Sequence, residues 1–465
     1  MTPTRSCSVY IRISPWITAI LGFTFTLWAF YPGYMSYDSA DQWFQARHNA
    51  FNTLHPPAMA MLWQLTDHIL PGPGGMLIVQ SLLHWVSLAI LMSAMPFGII
   101  GRIFSIIAIG FWPPIFGLLP HIWKDVFMMS AFGWATTFLF LEIKRPSRWL
   151  RIAAVVVISF ACMMRHNAIL GVLPFALWIG IRELSARSGM SWYRIWLTFL
   201  TLMITGSIYV LSILPNYAHG VRRIEDLWSL VALWDIAGVS LRNDKLLFPE
   251  IFYDPSLSLK DIERNFMETA NSPLFNEKKL KHNLVKPFTT TERQALLQAW
   301  LSIMTDHTKD YLAHRLRLAQ LLFGWDQSNH PNYLVFHPGI YAMPDNPPVL
   351  ANDSKINQVI QSGLNAIIDT PLFAGWWYIL VLLAIGVISL TRLQYPSAGL
   401  ATVVTTSALV YSLPLVLISG SADFRYLSWL VLATPIAALL LISCSFNAPG
   451  DSVHQPPRYR QFPMS

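Results

Sequence analysis

Residues 372–391 read LFAGWWYILVLLAIGVISLT, twenty consecutive positions without a charged side chain. A helix of roughly 17–25 mostly apolar residues is long enough to cross the hydrocarbon core of a bilayer. This stretch therefore predicts a membrane-spanning helix. Similar runs recur before and after it, so it predicts one span among several.

The composition of the 465-residue chain agrees with that interpretation. Hydrophobic residues make up 54% of the chain, charged residues only 12%, and the mean hydropathy is +0.43. Soluble domains carry about 25% charged residues, and disordered chains are poor in aromatic residues. We therefore exclude both classes and predict an all-α polytopic membrane protein.

The apolar runs predict about ten transmembrane helices, with both termini in the cytoplasm. They lie near 16–31, 75–95, 103–120, 125–142, 150–164, 168–182, 194–214, 372–391, 398–418 and 426–444. Bulky residues follow the first run where a signal peptide would have a cleavage site, so we interpret it as an uncleaved anchor. The run 58–70 is short and polar in part, which favours a helix lying at the interface.

The basic residues support this topology. Cytoplasmic loops of membrane proteins carry an excess of Lys and Arg. Segments predicted to lie inside hold Arg5, Arg12, Arg102, Lys144, Arg145, Arg148, Arg151, Arg182, Arg187, Arg194, Arg392, Arg458 and Arg460. The short outer segments hold only Arg47, Lys124, Arg165 and Arg425. Because the net charge of +7 lies mostly in short inner loops, it does not indicate a nucleic-acid partner.

The chain divides into four parts. Residues 1–214 form an N-terminal transmembrane module with a first outer loop at 32–74, and residues 215–370 form a large periplasmic loop or domain of helical and irregular structure. Residues 371–445 carry the C-terminal transmembrane helices, and 446–465 form a cytoplasmic tail.

Within the large loop, 292–323 has apolar residues at helical spacing. That helix either lies on the outer leaflet or packs on its own domain. Residues 326–354 predict an irregular loop.

Charged residues outside the large loop fall at the outer ends of the predicted spans. They occur in Tyr37-Asp38-Ser39-Ala40-Asp41, His55-Pro56-Pro57, Lys124-Asp125, Arg165-His166-Asn167 and Asp423-Phe424-Arg425-Tyr426. Charge at membrane depth is costly, so such residues indicate a functional site. Together they predict a ring of cations and carboxylates at the level of the lipid headgroups.

This combination suits the chemistry of a lipid-linked phosphate. Lys and Arg bind phosphate oxygens, Arg through two parallel hydrogen bonds. They also stabilise the negative charge that develops as the phosphate leaves a sugar carbon. A carboxylate can take the proton from an attacking hydroxyl group. The three cysteines, Cys7, Cys162 and Cys444, show no metal-ligand or disulfide spacing.

At these residues the chain resembles the GT-C superfamily of polytopic glycosyltransferases. It is most similar to the bacterial members related to the protein O-mannosyltransferases and the lipid A aminoarabinose transferase. Those enzymes carry an acidic residue soon after the first span, then a His-Pro-Pro or Lys-Pro-Pro element, then an acidic residue at the outer start of a later span. Here these are Asp38 or Asp41, His55-Pro56-Pro57, and Asp125. The resemblance covers about 30–170 and, more loosely, the element around Arg425.

The resemblance implies a bacterial inner-membrane enzyme that moves one sugar from a polyprenyl-phosphate donor to an acceptor hydroxyl on the periplasmic face, with inversion. The acceptor is a glycan, a lipid such as lipid A, or a protein. The catalytic residues are Asp38, Asp41 and Asp125, with Asp38 as the base. The donor phosphate is bound by His55, Lys124, Arg165 and Arg425, and His166, Asn167 and Tyr426 are accessory. Asp125 either orients the acceptor or helps to hold a divalent metal, Mg or Mn.

Several alternatives stay open at this stage. A neutral histidine binds phosphate less firmly than the lysine found in some relatives. Asp38 is also a favoured N-cap residue, Asp125 suits a helix N-terminus, and Lys124 can extend to the headgroups. At the level of function, the alternatives are a flippase or transporter of lipid-linked sugar and an O-antigen ligase-like transferase.

Overall fold

A computed structural model gives the fold and describes residues 5–184, 192–284, 286–326 and 338–446, with side chains from Ile13 onward. Within these ranges the regular structure is helical, and strand pairing is limited to isolated bridges such as Tyr34 with His121. The predicted tail 446–465 lies almost wholly outside the described residues, as does 327–337 of the predicted irregular loop.

The described α-helices divide between the N-terminal part, the 215–370 segment and the C-terminal part. The N-terminal helices are α1 (Arg5–Phe30), α2 (Tyr37–His48), α3 (Ala58–Ile69), α4 (Gly74–Ala94), α5 (Ile99–Gly110), α6 (Pro113–Leu118), α7 (Lys124–Lys144), α8 (Arg148–Met164), α9 (Val172–Leu184) and α10 (Tyr193–Ile213). The next are α11 (Trp228–Arg242), α12 (Leu259–Asn265), α13 (Thr290–Asp306), α14 (Thr308–Leu322) and α15 (Lys355–Ile367). The last are α16 (Gly375–Leu390), α17 (Pro396–Ser412), α18 (Leu415–Ile418) and α19 (Ser428–Ser443). Short 3-10 helices include His166–Gly171, Pro371–Phe373 and Phe424–Leu427.

Seven helical segments in the described ranges are long and apolar enough to cross a membrane. They are Ile13–Phe30, Gly74–Ala94, Lys124–Lys144, His166–Leu184, Tyr193–Tyr217, Pro396–Ile418 and Phe424–Phe446. Each lies close to a predicted span. The chain is therefore an all-helical, multi-pass membrane protein.

Three predicted spans are not among these seven segments, because their helices are short. The run 103–120 is broken into α5, with 12 residues, and α6, with 6 residues. The break precedes Pro113-Pro114, where Trp112 has extended ψ, because proline disfavours a helical conformation in the residue before it. The predicted spans 150–164 and 372–391 correspond to α8, with 17 residues, and α16, with 16 residues.

Helix α7 lies at the centre of the bundle and packs against α4, α8 and α19. Its Phe132 stacks on Trp429 of α19 at 5.0 Å and on Phe175 of α9 at 5.8 Å. Because α7 is buried along most of its length, its first turn is held in a fixed position relative to the neighbouring helices. Lys124 and Asp125 lie in that turn.

Helices α1, α4 and α5 meet around one tryptophan. The ring of Trp85 lies directly against Gly22 of α1 and Gly110 of α5, where a Cβ atom at either glycine would overlap it. Its indole Nε1 donates to Thr26 Oγ1 at 3.1 Å. The two glycines therefore allow a large side chain to fill the space between three helices.

The 215–370 segment forms a cluster of helices around α11, with α13 and α14 packed against it. The helix predicted over 292–323 is two helices, because the chain breaks at His307. Thr289 caps α13 in a capping box with Glu292. One face of the pair is buried through Leu296, Ile303 and Leu318, whereas Leu297, Leu301, Leu312 and Leu316 are exposed. Packing on the helices of its own segment is thus observed, and contact with a membrane stays a prediction.

Candidate functional site

Segments from distant parts of the chain bring charged side chains together at one end of the helical bundle. They are the start of α2, the loop before α3, the start of α7, the turn after α8, and residues 423–426 before α19. We call the side chains of Asp38, His55, Lys124, Asp125, Arg165, Asp423 and Arg425 the ionic cluster.

The start of α2 is tied to the segment that precedes α7. Ser39 Oγ donates to the carbonyl of Ile122 at 2.7 Å, and Trp123 Nε1 donates to Ser36 Oγ at 2.9 Å. The N-cap of α2 is Ser36, so Asp38 lies in the first turn and is not the cap. Its side chain is therefore available to contact groups from other helices.

Asp38 pairs with an arginine almost at the other end of the chain. Arg425 Nη2 donates to Asp38 Oδ2 at 2.7 Å and to Asp423 Oδ2 at 3.0 Å. The guanidinium lies over the rings of Trp123, at 4.9 Å, and Tyr426, at 5.5 Å. Its buried Nη1 has no hydrogen-bond partner among the described residues. Arg425 therefore holds Asp38 and keeps one donor for another acceptor.

His55 connects Asp38 with Lys124. His55 Nε2 lies 3.5 Å from Asp38 Oδ1, and His55 Nδ1 lies 2.6 Å from Lys124 Nζ. An ammonium group only donates, so Nδ1 must accept and the neutral ring carries its proton on Nε2, facing Asp38. Lys124 is only 8% exposed, so it does not extend to the surface. The three side chains form one continuous chain of contacts.

Asp125 and Arg165 form a second, deeper pair. Asp125 is fully buried, and its Oδ1 accepts from Arg165 Nη1. Arg165 also donates through Nε to Asn167 Oδ1 at 2.8 Å and lies over the ring of Tyr426 at 3.9 Å. The second oxygen of Asp125, Oδ2, has no partner among the described residues. Tyr426 lies between the two arginines and so joins this pair to Arg425.

Two of the predicted residues lie at the edge of the ionic cluster. Asp41 is one turn after Asp38 on α2, and its Oδ2 accepts from Gln45 Nε2 at 2.6 Å. His166 is exposed in the 3-10 helix that follows Arg165. Asp41, His166 and the ionic cluster thus lie at the same end of the bundle, although neither side chain belongs to the network of ion pairs.

The pKa values of the two aspartates of α2 are shifted in opposite directions. Burial alone would raise the pKa of Asp38, but the attraction of Arg425 outweighs it and holds the pKa well below its ordinary value. Burial raises the pKa of Asp41, and its hydrogen bond from Gln45 offsets this only in part. Burial, followed by Lys124, lowers the pKa of His55. At neutral pH Asp38 is therefore an anion and His55 is neutral.

The ionic cluster is open on the side of Asp38 and His55. Their side chains are 22% and 21% exposed, whereas that of Arg165 is 11% exposed. A ligand would reach Asp38 and His55 first, with the cations behind them. A largely apolar cavity of about 410 Å³ lies between Met35 and Trp43 on one side and residues 340–349 on the other. Asn346 Nδ2 fixes that segment to the carbonyl of Ala40 at 2.8 Å.

The cluster does not fit a divalent metal. Within the described ranges no three His, Cys, Asp or Glu side chains form a group that could hold one. Asp38 and Asp125 each face an arginine, and the other ring nitrogen of His55 faces a lysine ammonium. We therefore assign no residue to Mg or Mn.

Sequence reasoning missed Trp123 as part of the site. Its ring packs under Arg425, and its Nε1 bonds to the turn that carries Asp38. The available signal was the position of Trp123 directly before Lys124, within a charged motif. Tryptophan rings commonly pack against arginine guanidinium groups.

Fold and site together define the class of protein: a multi-pass helical membrane protein with a buried ionic cluster at one end of its bundle. No family model, curated protein or solved structure matches the chain.

Proposed function

We propose that the protein is a membrane glycosyltransferase of the GT-C type. It moves a single sugar from a polyprenyl-phosphate donor to an acceptor hydroxyl on the periplasmic face of a bacterial inner membrane. The observation that carries the proposal is the ionic cluster. Three cations and three carboxylates from distant segments, with a neutral imidazole, converge where a lipid headgroup would lie.

Contacts within the bundle support ten spans. Helix α7 has 21 residues and carries the chain about 30 Å away from Asp125. Arg165 nevertheless contacts Asp125, so α8 must bring the chain back. By the same argument α5 and α6 return the chain from the end of α4, since Gln80, near the start of α4, donates to the carbonyls of Leu119 and His121.

The C-terminal helices give a similar argument. Trp376 N, at the start of α16, bonds to the carbonyl of Phe323 in the 215–370 segment. The carbonyl of Ser419, after α18, accepts from Arg315 of that same segment at 2.8 Å. Helices α16 and α17 must therefore cross in opposite directions. Counted as spans, the three shorter helical stretches and the seven long segments give the ten spans that we propose.

The opposite end of the bundle supports the orientation. There Glu142 accepts from Arg151 at 2.7 Å and from Arg182 at 2.8 Å, and Arg151 also pairs with Glu183. Arg145, Arg148 and Arg392 lie at the ends of the same set of helices. An excess of Lys and Arg marks the cytoplasmic side, so both termini lie in the cytoplasm and the ionic cluster faces the periplasm.

In the proposed complex the donor phosphate occupies the space in front of Lys124, Arg165 and Arg425. The unpartnered Nη1 of Arg425 donates to a phosphate oxygen, and the polyprenyl tail stays in the bilayer. Charge-assisted hydrogen bonds of this type are about twice as strong as neutral ones. They would also stabilise the charge on the phosphate as it departs.

The reaction then proceeds as a single displacement. The acceptor oxygen attacks the anomeric carbon, the bond from that carbon to the phosphate oxygen breaks, and the phosphate leaves with the electron pair. Asp38 takes the proton of the acceptor hydroxyl, and the anomeric centre inverts. Phosphate binding draws Arg425 away from Asp38, which raises the pKa of Asp38 towards that of an effective base.

The test is sugar transfer by the Asp38→Asn protein. We expect a loss of at least 10²-fold in rate, because the amide cannot accept the proton, while the protein stays folded since Arg425 still pairs with Asp423. Mass spectrometry of envelope glycolipids and glycoproteins, in a deletion strain complemented with each variant, gives the readout. Asp369→Asn, an exposed site on the same side of the bundle, is the matched control.

The outcomes separate the candidate functions. Full activity of a folded Asp38→Asn protein would exclude Asp38 as the base, and loss of activity in Asp41→Asn would then assign the base to Asp41. If deletion of the protein removes no sugar but slows the movement of lipid-linked sugar across the membrane, the protein is a flippase. Transfer of a whole polysaccharide instead of one sugar would identify a ligase.

A further inference from the structure

A second concave surface lies in the 215–370 segment, outside the ionic cluster. It is a groove of about 710 Å³, within the range of small-ligand sites. We call it the lysine groove. Its lining includes Tyr253, Phe275, Lys278, Lys281, His282 and Lys286.

The groove carries more positive than negative charge. Lys279 is paired with Asp261 at 3.0 Å, and Lys281 with Glu292 at 2.5 Å. Lys278 and Lys286 are exposed and make no ion pair or hydrogen bond within the described structure. These two ammonium groups are therefore available to an anionic ligand.

Aromatic rings form the other wall. Phe288 packs edge-to-face on the buried Phe252 at 5.2 Å, and Phe275 packs in the same way on His282 at 5.5 Å. Phe275 and Tyr253 are half-buried, so each presents part of its ring to the groove. The buried Nδ1 of His282 has no hydrogen-bond partner among the described residues. An apolar wall with nearby polar groups suits the alternating C–H and hydroxyl faces of a sugar.

Hydrogen bonds link the chain beside the groove to the loop that carries His55 of the ionic cluster. Asn283 Nδ2 donates to the carbonyl of Glu225 at 2.5 Å, and Arg222 Nη2 donates to the carbonyl of Leu284 at 3.3 Å. The backbone of Arg222 in turn bonds to Phe51 at 2.9 Å and to Thr53 at 3.1 Å. The loop from Phe51 leads directly to His55. The wall of the groove is thus joined to the loop that carries a residue of the cluster.

We propose that the lysine groove binds an anionic carbohydrate, the phosphorylated or carboxylated part of the acceptor. Lys278 and Lys286 bind the anionic group, and Phe275 and Tyr253 pack against the sugar ring. The proposal rests on the function proposed above and names the class of its acceptor.

Binding of defined oligosaccharides to the full-length protein in detergent tests this directly. The probes are pentamannosyl phosphate, neutral pentamannose, hexagalacturonate and inorganic phosphate, titrated by calorimetry at low salt. We expect pentamannosyl phosphate to bind at least about tenfold more tightly than pentamannose, and its affinity to fall as salt is added. Comparison with hexagalacturonate shows whether the groove prefers phosphate or carboxylate.

Paired variants locate the binding. Lys278→Gln with Lys286→Gln is expected to lower the affinity for the anionic probe about tenfold or more. Lys309→Gln with Lys355→Gln removes the same charge from exposed positions on α14 and α15 and should leave the affinity unchanged. Asp38→Asn should also leave it unchanged.

Three results would overturn the proposal. They are equal binding of neutral pentamannose, an equal loss of affinity in the control pair, and binding of inorganic phosphate as tight as that of pentamannosyl phosphate, which would show an adventitious ion only. Tighter binding of the anionic probe in Asp38→Asn, where Arg425 loses a competing carboxylate, would place the ligand in the ionic cluster instead. If the wild-type protein binds the anionic probe in the lysine groove but transfers no sugar, the proposed function is wrong and the lysine groove is still a carbohydrate-binding site.

Discussion

Asp38 and Asp41 are three residues apart on one helix, yet their surroundings shift their pKa values in opposite directions. Arg425 keeps Asp38 ionised, whereas burial raises the pKa of Asp41. A carboxylate held by an arginine is a weak base until the arginine moves to another anion. The proposed donor supplies that anion, so proton transfer would follow donor binding.

His55 gives a pH-dependent prediction. Because burial and Lys124 lower its pKa, the ring stays neutral until the pH falls below its ordinary value of 6.5. Below its folded pKa an imidazolium would face the Lys124 ammonium, and the contact would be lost. An asparagine at this position can accept from Lys124 and donate towards Asp38 without titrating. We expect His55→Asn to keep activity within about tenfold at pH 7.5 and to lose less of it on acidification.

The measurement is the rate of sugar transfer between pH 5 and pH 8. The control is His48→Asn, since His48 is exposed at the end of α2. If the rate falls equally at low pH in wild type and in His55→Asn, the assigned role of His55 is wrong.

The sequence predicted which residues would share an end of the bundle but not which would pair. Each charged motif lay at the end of an apolar run, and the sidedness followed from the order of spans. The pairing of Asp38 with Arg425, 387 positions apart, depends on how each helix is rotated about its axis. Each residue turns a helix by about 100°, so small errors in helix bounds change the direction in which a side chain points.

At the scale of the elements, apolar runs located the helices to within a few residues. The predicted runs 75–95 and 125–142 correspond to α4 and α7. The breaks before Pro113 and at His307 were not predicted, although the proline pair was a visible signal. The spacing of apolar residues does not change at His307, because the residues on both sides of the break pack on the same segment. The sequence therefore carries no sign of this break.

The contact of Trp85 with Gly110 gives a prediction about packing. An alanine at Gly110 would place its Cβ inside the ring of Trp85, and overpacking of this type costs about 1–3 kcal/mol. We expect Gly110→Ala to lower the midpoint of thermal unfolding in detergent, followed by tryptophan fluorescence.

The matched control for this prediction is Gly206→Ala. Gly206 also lies in an apolar helix, α10, but no atom comes within 4 Å of the position of its Cβ. Alanine has a higher helix propensity than glycine by about 1 kcal/mol, so the midpoint should stay the same or rise. Equal midpoints for wild type and Gly110→Ala would show that Trp85 moves at little cost.

At the scale of the whole molecule, a buried arginine of the 215–370 segment, held by an ion pair within that segment, bonds to the C-terminal part of the bundle. Arg315 Nη2 donates to Asp235 Oδ2 at 2.6 Å, and its Nη1 donates to the carbonyl of Ser419 at 2.8 Å. Asn271 and Ala422 add backbone bonds between the same regions. Ser419 is six residues before Arg425, so the 215–370 segment helps to position the segment that carries this arginine. The sequence did not predict this link, because Arg315 fits an exposed helix position equally well.

Breaking that pair should be costly. Asp235 is fully buried and Arg315 is 2% exposed, and an unpaired buried charge costs roughly 3–5 kcal/mol. Asp235→Asn should therefore unfold at a clearly lower temperature, whereas Asp235→Leu with Arg315→Met should recover part of the loss. Thermal unfolding of the three proteins provides the test. A double variant that is less stable than Asp235→Asn would show that the polar contacts of this pair stabilise the fold beyond the cost of an unpaired charge.

The ten-span topology predicts which positions a membrane-impermeant thiol reagent can reach. With Cys7, Cys162 and Cys444 replaced by Ser, single cysteines at the exposed Gln298, Arg145 and Arg392 report on opposite sides of the membrane. Gln298 lies in the 215–370 segment and should be labelled in intact spheroplasts. Arg145 and Arg392 lie at the other end of the bundle and should be labelled only after permeabilisation.

If Arg392→Cys is labelled in intact spheroplasts, α16 does not cross the membrane and the predicted number of spans is wrong. If all three patterns are reversed, the ionic cluster faces the cytoplasm, where donors are nucleotide-linked, and the proposed polyprenyl-phosphate chemistry fails with the topology.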